Sequence, residues 1–444
     1  MDQYILNLIE NHPKTKECFD MDIVLESGAA NGSYHIGCLT YISLLETKNI
    51  VKVNRISGSS VGAIAGLYYF INSLQNFKDD YIKLRNCFKQ NQNYSILKEE
   101  VIKDSIAGNL CRCTGYQPII KAAKSLKHKN KADHFSKNEK KIINLLKKIS
   151  NKSIKIYQKD KKYFAPRYVL ELKKILKKNI NADFLSGGTD LSLGVTKERK
   201  DINSIIYMNS IRELNYIKNN NEYIDVGAST PLIDLEIYIK KYYPDFTKIL
   251  KRYGSPQIRN VGTVAGNIAT ASPIGDCLPL LLSLNAKVVL QDLKKTKVLS
   301  LDSFFINYRK TKLKKGQFIH SIRIPLFKNN IFKAYKVSKR FDDDISSICA
   351  AFNLEIVKNK IQSVRIAYGG MAEIPKRAVF SEKILLNALF TEETIHKAKE
   401  ALEKDFKPIS DMRASGLYRM KVAKNLLEKC CAEINQKKLI GIYV

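Results

Sequence analysis

No stretch of this chain approaches the roughly 20 apolar residues that a bilayer-spanning helix needs, so no transmembrane segment is expected. The first residues, Met1-Asp2-Gln3-Tyr4, lack the charged-then-apolar profile of a secretory leader. A cytoplasmic location is therefore expected, where the nine cysteines would be reduced or metal-bound, not paired. There is no internal repeat and no Pro/Gly/Ser-rich linker. Acidic residues are scarce: 43 Asp and Glu stand against 75 Lys and Arg, for a net charge of +32. The surplus lysine is spread along the whole chain and is not interleaved with aromatics in a motif, so no specific nucleic-acid partner is expected. The charge predicts only a weak, salt-sensitive attraction to polyanions.

What is present suits a multidomain protein. The 444 residues, 45% of them hydrophobic, are enough for two to four domains. Residues 1–95 read as strand, glycine turn and helix, an α/β pattern with strands at Ile23-Val24-Leu25 and Val53 to Ile56. Residues 96–178 read as mostly helical, with almost no strand in the Lys-dense stretch from Lys121 to Lys178. Lys137 to Lys148 reads as a charged amphipathic helix or linker with a solvated face. Residues 179–330 alternate short β-rich runs with glycine turns and helices, and residues 331–444 form an α+β pattern.

Four short segments carry chemistry. Cys111 and Cys113 stand one residue apart, in a loop that suits an inorganic ligand; an iron–sulfur cluster generally needs four such thiolates. Ser186-Gly187-Gly188-Thr189-Asp190 follows a short strand, and its glycines let backbone N–H groups form a concave nest for an anion such as a pyrophosphate. The segment from Ile258 to Asp276 is rich in small residues and hydroxyls, with Asn267, Ser272 and Asp276 offering side-chain hydrogen bonds. Finally, Ser338 to Ser346 sets cations, Phe341 and three carboxylates before an apolar strand.

In this order the last three segments resemble the flavoprotein part of the molybdenum hydroxylases, of the kind found in the small subunit of bacterial xanthine dehydrogenase. Arg365 to Ala372, Pro375 to Ala378 and Ser410 to Ser415 extend the likeness over about residues 100–440. The resemblance implies a flavin-dependent oxidoreductase. Its fold would be an FAD-binding domain of the vanillyl-alcohol oxidase type, followed by a C-terminal α+β domain. The pyrophosphate loop would fall on Ser186, Gly187, Gly188, Thr189 and Asp190. A second flavin-contacting segment would use Gly262, Thr263, Gly266, Asn267, Ser272 and Asp276. Lys339, Asp342 and Asp344 would lie in the turn beside the isoalloxazine and a nicotinamide site. Electrons would come from a molybdenum-cofactor partner chain and pass through FAD to NAD. Residues 109–116 resemble half of the family's helical [2Fe-2S] domain. The upstream Cys-Gly-x-Cys unit that would complete the ligands is missing, so the relay is expected to be incomplete.

The first 95 residues resemble something else. Gly28 to Gly37, followed by Gly58-Ser59-Ser60-Val61-Gly62, is similar to a patatin-like phospholipase. This resemblance implies Ser60 as nucleophile of a serine acyl hydrolase. The family's aspartate sits in an Asp-Gly turn, and this chain has no Asp-Gly dipeptide, so an inactive fragment is expected. A non-catalytic fusion remnant is a third reading.

Overall fold

In this computed structural model the structure describes residues 19–25, 51–58, 99–109, 111, 114–125, 134–149 and 152–435. They fall into two units, Met1–Ser150 and Asn151–Val444. In the first unit, β1 (Phe19–Leu25) and β2 (Val51–Gly58) pair in parallel, with Ile23 opposite Ile56. Both strands expected near the N-terminus are present. Ser60 and the glycine loop at 28–37, expected to form the patatin-like site, lie outside the described residues. Three helices follow: α1 (Glu99–Ile106), α2 (Gln117–Ser125) and α3 (His134–Ile149). Helix α3 contains the charged helix expected from Lys137 to Lys148.

Among its described residues the second unit holds three sheets of four or five strands and one two-stranded hairpin. The first has the order β3-β4-β6-β5, built from β3 (Ile154–Gln158), β4 (Lys161–Ala165), β5 (Asp183–Leu185) and β6 (Ser204–Tyr207). Strands β4, β6 and β5 run parallel, joined through α4 (Val169–Lys178) and α5 (Leu191–Thr196). Parallel neighbours require such crossovers. The β3–β4 hairpin corrects the helical reading of the Lys-dense stretch. Lysines hide the strand pattern there: Lys155 lies between Ile154 and Ile156 on a strand exposed at every position, while Phe164 of β4 is buried with α4.

The second sheet, β10-β9-β13-β8-β7, is antiparallel. It contains β7 (Ile217–Asn219), β8 (Tyr223–Gly227), β9 (Lys287–Gln291), β10 (Thr296–Ser300) and β13 (Phe318–Pro325). Its core face is covered by α6 (Leu232–Ile239), α7 (Pro244–Lys251), α9 (Val264–Thr270) and α10 (Cys277–Ser283), the last buried at every residue. Between α7 and α9 lies α8 (Pro256–Val261).

The third sheet, β14-β15-β16-β17, comprises β14 (Ile331–Val337), β15 (Ile348–Val357), β16 (Lys360–Gly369) and β17 (Lys376–Arg377). It is covered on both faces, so β15 is apolar almost throughout. Cys349 and Ala351 face the core around α10, while Ile348, Ala350, Phe352 and Leu354 face a second core. That second core is closed by α12 (Val379–Leu385), α13 (Glu392–Asp405) and α14 (Gly416–Ile434). A short helix, α11 (Leu301–Phe304), precedes a small hairpin of β11 (Phe305–Asn307) and β12 (Lys310–Thr311).

One half-buried histidine carries a pH prediction. His320 on β13 packs against the Tyr216 ring at 6.5 Å. Burial is the main force lowering its pKa from 6.5; Asp225 and Glu213 oppose that shift, and Lys173 and Arg323 reinforce it. The unfolded chain therefore takes up this proton at a higher pH than the folded one. The stability is present above pH 6.5 and is lost as pH falls from there through the lower folded value. Thermal melts between pH 8 and 5.5 should show the loss, and His320→Gln should flatten it. An unchanged pH slope in His320→Gln would refute the assignment.

Candidate functional site

The site begins where parallel strand β5 ends, at the carboxyl end of its sheet, where α/β sheets place ligands. The chain turns through Ser186 to Asp190 before entering α5. Gly188 has φ +73°, a left-handed conformation that side chains rarely adopt. Gly187 is needed for a different reason. A Cβ there would lie 2.1 Å from the Val261 carbonyl oxygen and 2.7 Å from the Gly262 nitrogen. The first and second glycine segments thus touch backbone to backbone. Ser186 Oγ donates to Asn209 Oδ1 at 2.6 Å and lies 3.3 Å from Thr263 Oγ1, which ties the same two segments together. Thr189 is exposed beside Gly262. No backbone carbonyl among the described residues accepts from the N–H groups of Gly187, Gly188 or Thr189. Three successive donors are thus without a backbone acceptor, which fits an anionic ligand.

The second segment is rigid for local reasons. Thr263 caps α9, its Oγ1 accepting from Gly266 N at 3.0 Å. After α9 the chain folds back at Ala271, φ +49°, and Ser272 Oγ accepts from Ile274 N at 3.4 Å. Gly275 then passes Asn267 so closely that a Cβ would meet its Nδ2 at 2.9 Å. Asn267 Nδ2 donates to the Tyr253 hydroxyl at 3.0 Å, while its Oδ1 is buried without a hydrogen-bond partner. A buried acceptor left open is uncommon and suits a ligand's donor. Burial, then the charges of Cys277, Asp276 and Asp190, push the Tyr253 phenol upward, so it stays neutral at physiological pH.

Asp276 closes the segment and is turned into the protein. Its Oδ2 accepts from Lys336 Nζ at 2.7 Å and its Oδ1 from Ser346 Oγ at 2.5 Å, with the Lys336 and Asp276 side chains 1% and 5% exposed. Lys336 Nζ also donates to the Arg252 carbonyl at 2.8 Å. Arg252 returns the contact: its guanidinium donates to the Lys336 carbonyl at 2.9 Å, the Phe341 carbonyl at 2.8 Å and Ser338 Oγ at 3.3 Å. It also lies 4.3 Å from the centre of the Phe341 ring. The acidic turn of the third segment is therefore held against the second. Within that turn, Lys339 Nζ donates to the Met412 carbonyl at 2.7 Å, and Asp342 is exposed. Asp344 accepts from Arg340 N at 2.8 Å and Ile345 N at 2.9 Å. Burial pushes its carboxyl up, but these donors and the Arg340 charge outweigh it and hold it below the usual carboxylate range.

All three segments singled out in the sequence thus converge. Sequence reasoning missed residues that join them: Asn209, Arg252, Tyr253 and Lys336. A signal existed for Lys336, a lysine at an inward-facing position of β14, in step with buried Ala334.

The cysteine pair is a different matter. Cys113 lies outside the described residues. Cys111 Sγ is 3.1 Å from Thr114 Oγ1, and its backbone N–H donates to the Tyr116 hydroxyl at 2.9 Å. Among the described residues no cluster of His, Cys, Asp or Glu is arranged to hold a metal ion, so the described donors do not complete a [2Fe-2S] ligand set. No described helix is long and apolar enough to cross a membrane.

Two family models match most of the second unit. Residues 155–327 match the family model of the FAD binding domain in molybdopterin dehydrogenase, and 333–434 match the CO dehydrogenase flavoprotein C-terminal domain. Residues 82–124 match a [2Fe-2S] binding domain. A xanthine dehydrogenase of Emericella nidulans is 30% identical over 367 residues, covering 69% of this chain and 27% of that protein. The chain thus spans about a quarter of that relative's length. The glyceraldehyde dehydrogenase medium chain of Sulfolobus acidocaldarius is 27% identical over 281 residues, covering 63% of this chain and 100% of the relative. Among solved structures, a carbon monoxide dehydrogenase from Hydrogenophaga pseudoflava superposes with a TM-score of 0.58 at 26% identity, covering 62% of this chain and 96% of that one. Residues 155–434 are thus similar to the FAD-binding and C-terminal flavoprotein domains of molybdopterin and CO dehydrogenases, preceded by a match to a [2Fe-2S] binding domain.

Proposed function

We propose that this chain binds FAD in the cleft formed by Ser186–Asp190, Gly262–Asp276 and the turn at 338–346, and serves as the flavin module of a molybdenum hydroxylase. The observation that carries the reading is the contact at Gly187, where two glycine segments meet without side chains and leave three backbone donors open. Bound FAD would supply two-electron transfer between a donor and an acceptor. The chain's own residues bind and orient. The N–H groups of Gly187, Gly188 and Thr189 would take the pyrophosphate, and the open Oδ1 of Asn267 would accept from a ligand N–H. The neutral Tyr253 keeps negative charge out of the cleft, and Arg252 fixes the turn carrying Phe341. The donor would be a molybdenum-cofactor partner chain and the acceptor NAD. The match to a medium-chain subunit over its whole length supports a partner.

The test is the visible spectrum of the purified full chain. The expected protein is yellow and releases FAD on denaturation. Gly188→Asp should be folded and colourless, because the position requires φ +73° and a carboxylate would face the nest. A folded wild-type protein that stays colourless and takes up no FAD would refute the reading.

A further inference from the structure

The β11–β12 hairpin reaches the glycine turn from a distant part of the chain. Its base is anchored: Phe304 and Phe305 are buried, and Lys312 N donates to the Phe304 carbonyl at 2.9 Å. Its tip is not, with Ile306 and Tyr308 more than half exposed. At the tip, Arg309 adopts φ +51° and donates from Nη2 to Asp190 Oδ1 at 2.8 Å. Asp190 is the residue that follows Gly188 and Thr189. Its other oxygen accepts from Thr270 Oγ1 at 3.5 Å, so one carboxylate joins the hairpin tip, the glycine turn and the end of α9. Arg309 and Asp190 side chains are 44% and 48% exposed. A pair so exposed adds little to folding stability. What the pair does is hold a guanidinium on the residue that ends the glycine turn. A guanidinium has five N–H groups in a planar fork that matches phosphate oxygens, and Asp190 engages only one of its nitrogens.

We propose that Arg309 is the specificity residue for the pyrophosphate of the flavin, held by Asp190 at the lip of the nest and closing the hairpin tip over the dinucleotide once it is seated. The inference rests on the FAD reading and deepens it. Arg309 selects FAD over flavins that lack a pyrophosphate, because its contact is made to phosphate oxygens and not to the ring. Positive charge at this lip also slows release of the bound dinucleotide, an effect that salt weakens.

The experiment uses the full-length apoprotein, titrated with FAD and with riboflavin and followed by flavin fluorescence, in wild type, Arg309→Gln and Arg309→Lys. The expected result is FAD affinity about tenfold weaker in Arg309→Gln, consistent with loss of one charge-assisted contact. Riboflavin affinity should be unchanged, and Arg309→Lys should recover part of the FAD affinity. Melting temperatures of the apo forms should agree, which separates recognition from folding. The proposal is overturned if Arg309→Gln binds FAD as wild type does, or if both flavins weaken equally. A wild-type protein that binds neither flavin overturns the FAD reading itself, a result distinct from either of those.

Discussion

Replacing Gly187 by alanine should cost this protein its flavin. A Cβ at that position would sit 2.1 Å from a carbonyl oxygen and 2.4 Å from the carbonyl carbon of Val261, and both are backbone atoms. No rotamer change can relieve the clash, because the obstacle is not the end of a flexible side chain. The turn and the α8–α9 junction must separate by roughly 1 Å, in a close-packed region that resists such a shift. Overpacking of this kind costs about 1–3 kcal/mol of stability. The loss of ligand affinity should be larger, because the nest and the second segment would no longer face the same point. A fall of about 100-fold in FAD affinity, ~2.7 kcal/mol, is the expected result in a flavin titration. Thermal denaturation of the apo form reports the folding part separately. If Gly187→Ala binds FAD within twofold of wild type, the two segments do not meet as described.

Lys336→Met should be the most destabilising single change in the polar interior. Removing the ammonium leaves the Asp276 carboxylate buried, with only Ser346 Oγ as a side-chain donor, and leaves the Arg252 carbonyl without its 2.8 Å partner. Breaking a buried pair by deleting one member costs about 3–5 kcal/mol, since an uncompensated charge remains. The double variant Lys336→Met with Asp276→Leu should recover much of that loss, because the pair is then replaced by apolar groups and no charge is stranded. The comparison distinguishes a buried pair from a solvated one, for which both variants would lie within about 1 kcal/mol of wild type. Chemical denaturation of the three proteins measures it. The consequence for the site is indirect: Lys336 connects the end of the second segment to the start of the third, so its loss should also loosen the turn that carries Phe341.

Much of the scaffold was legible from the chain alone. The short β-rich runs read in residues 179–330 lie on β5, β8 and β9, and the α+β pattern read in 331–444 lies on β14 to β17 with α12 to α14. These are readable because alternation and helical spacing are local properties of a half-buried element. The β3–β4 hairpin was missed because β3 is exposed at every position and lysines interrupt its apolar residues.

The same distinction runs through the site. Gly188 needs glycine because of its own backbone, φ +73°, and glycine pairs and runs of small residues are visible in the sequence, whereas the need at 187 is set by Val261 of the second segment. The sequence therefore determined by itself that two glycine segments and an acidic turn were candidate ligand elements. Only the tertiary structure decided what their charged residues do. Asp276 pairs inward with Lys336, 60 residues away, and Asp190 holds Arg309, 119 residues away. Arg252 grips a turn that begins 86 residues later, at Ser338. A charge can meet any opposite charge that folding brings within a few ångströms, so its partner is chosen by sheet order and loop closure. Nothing in the residues beside it names that partner.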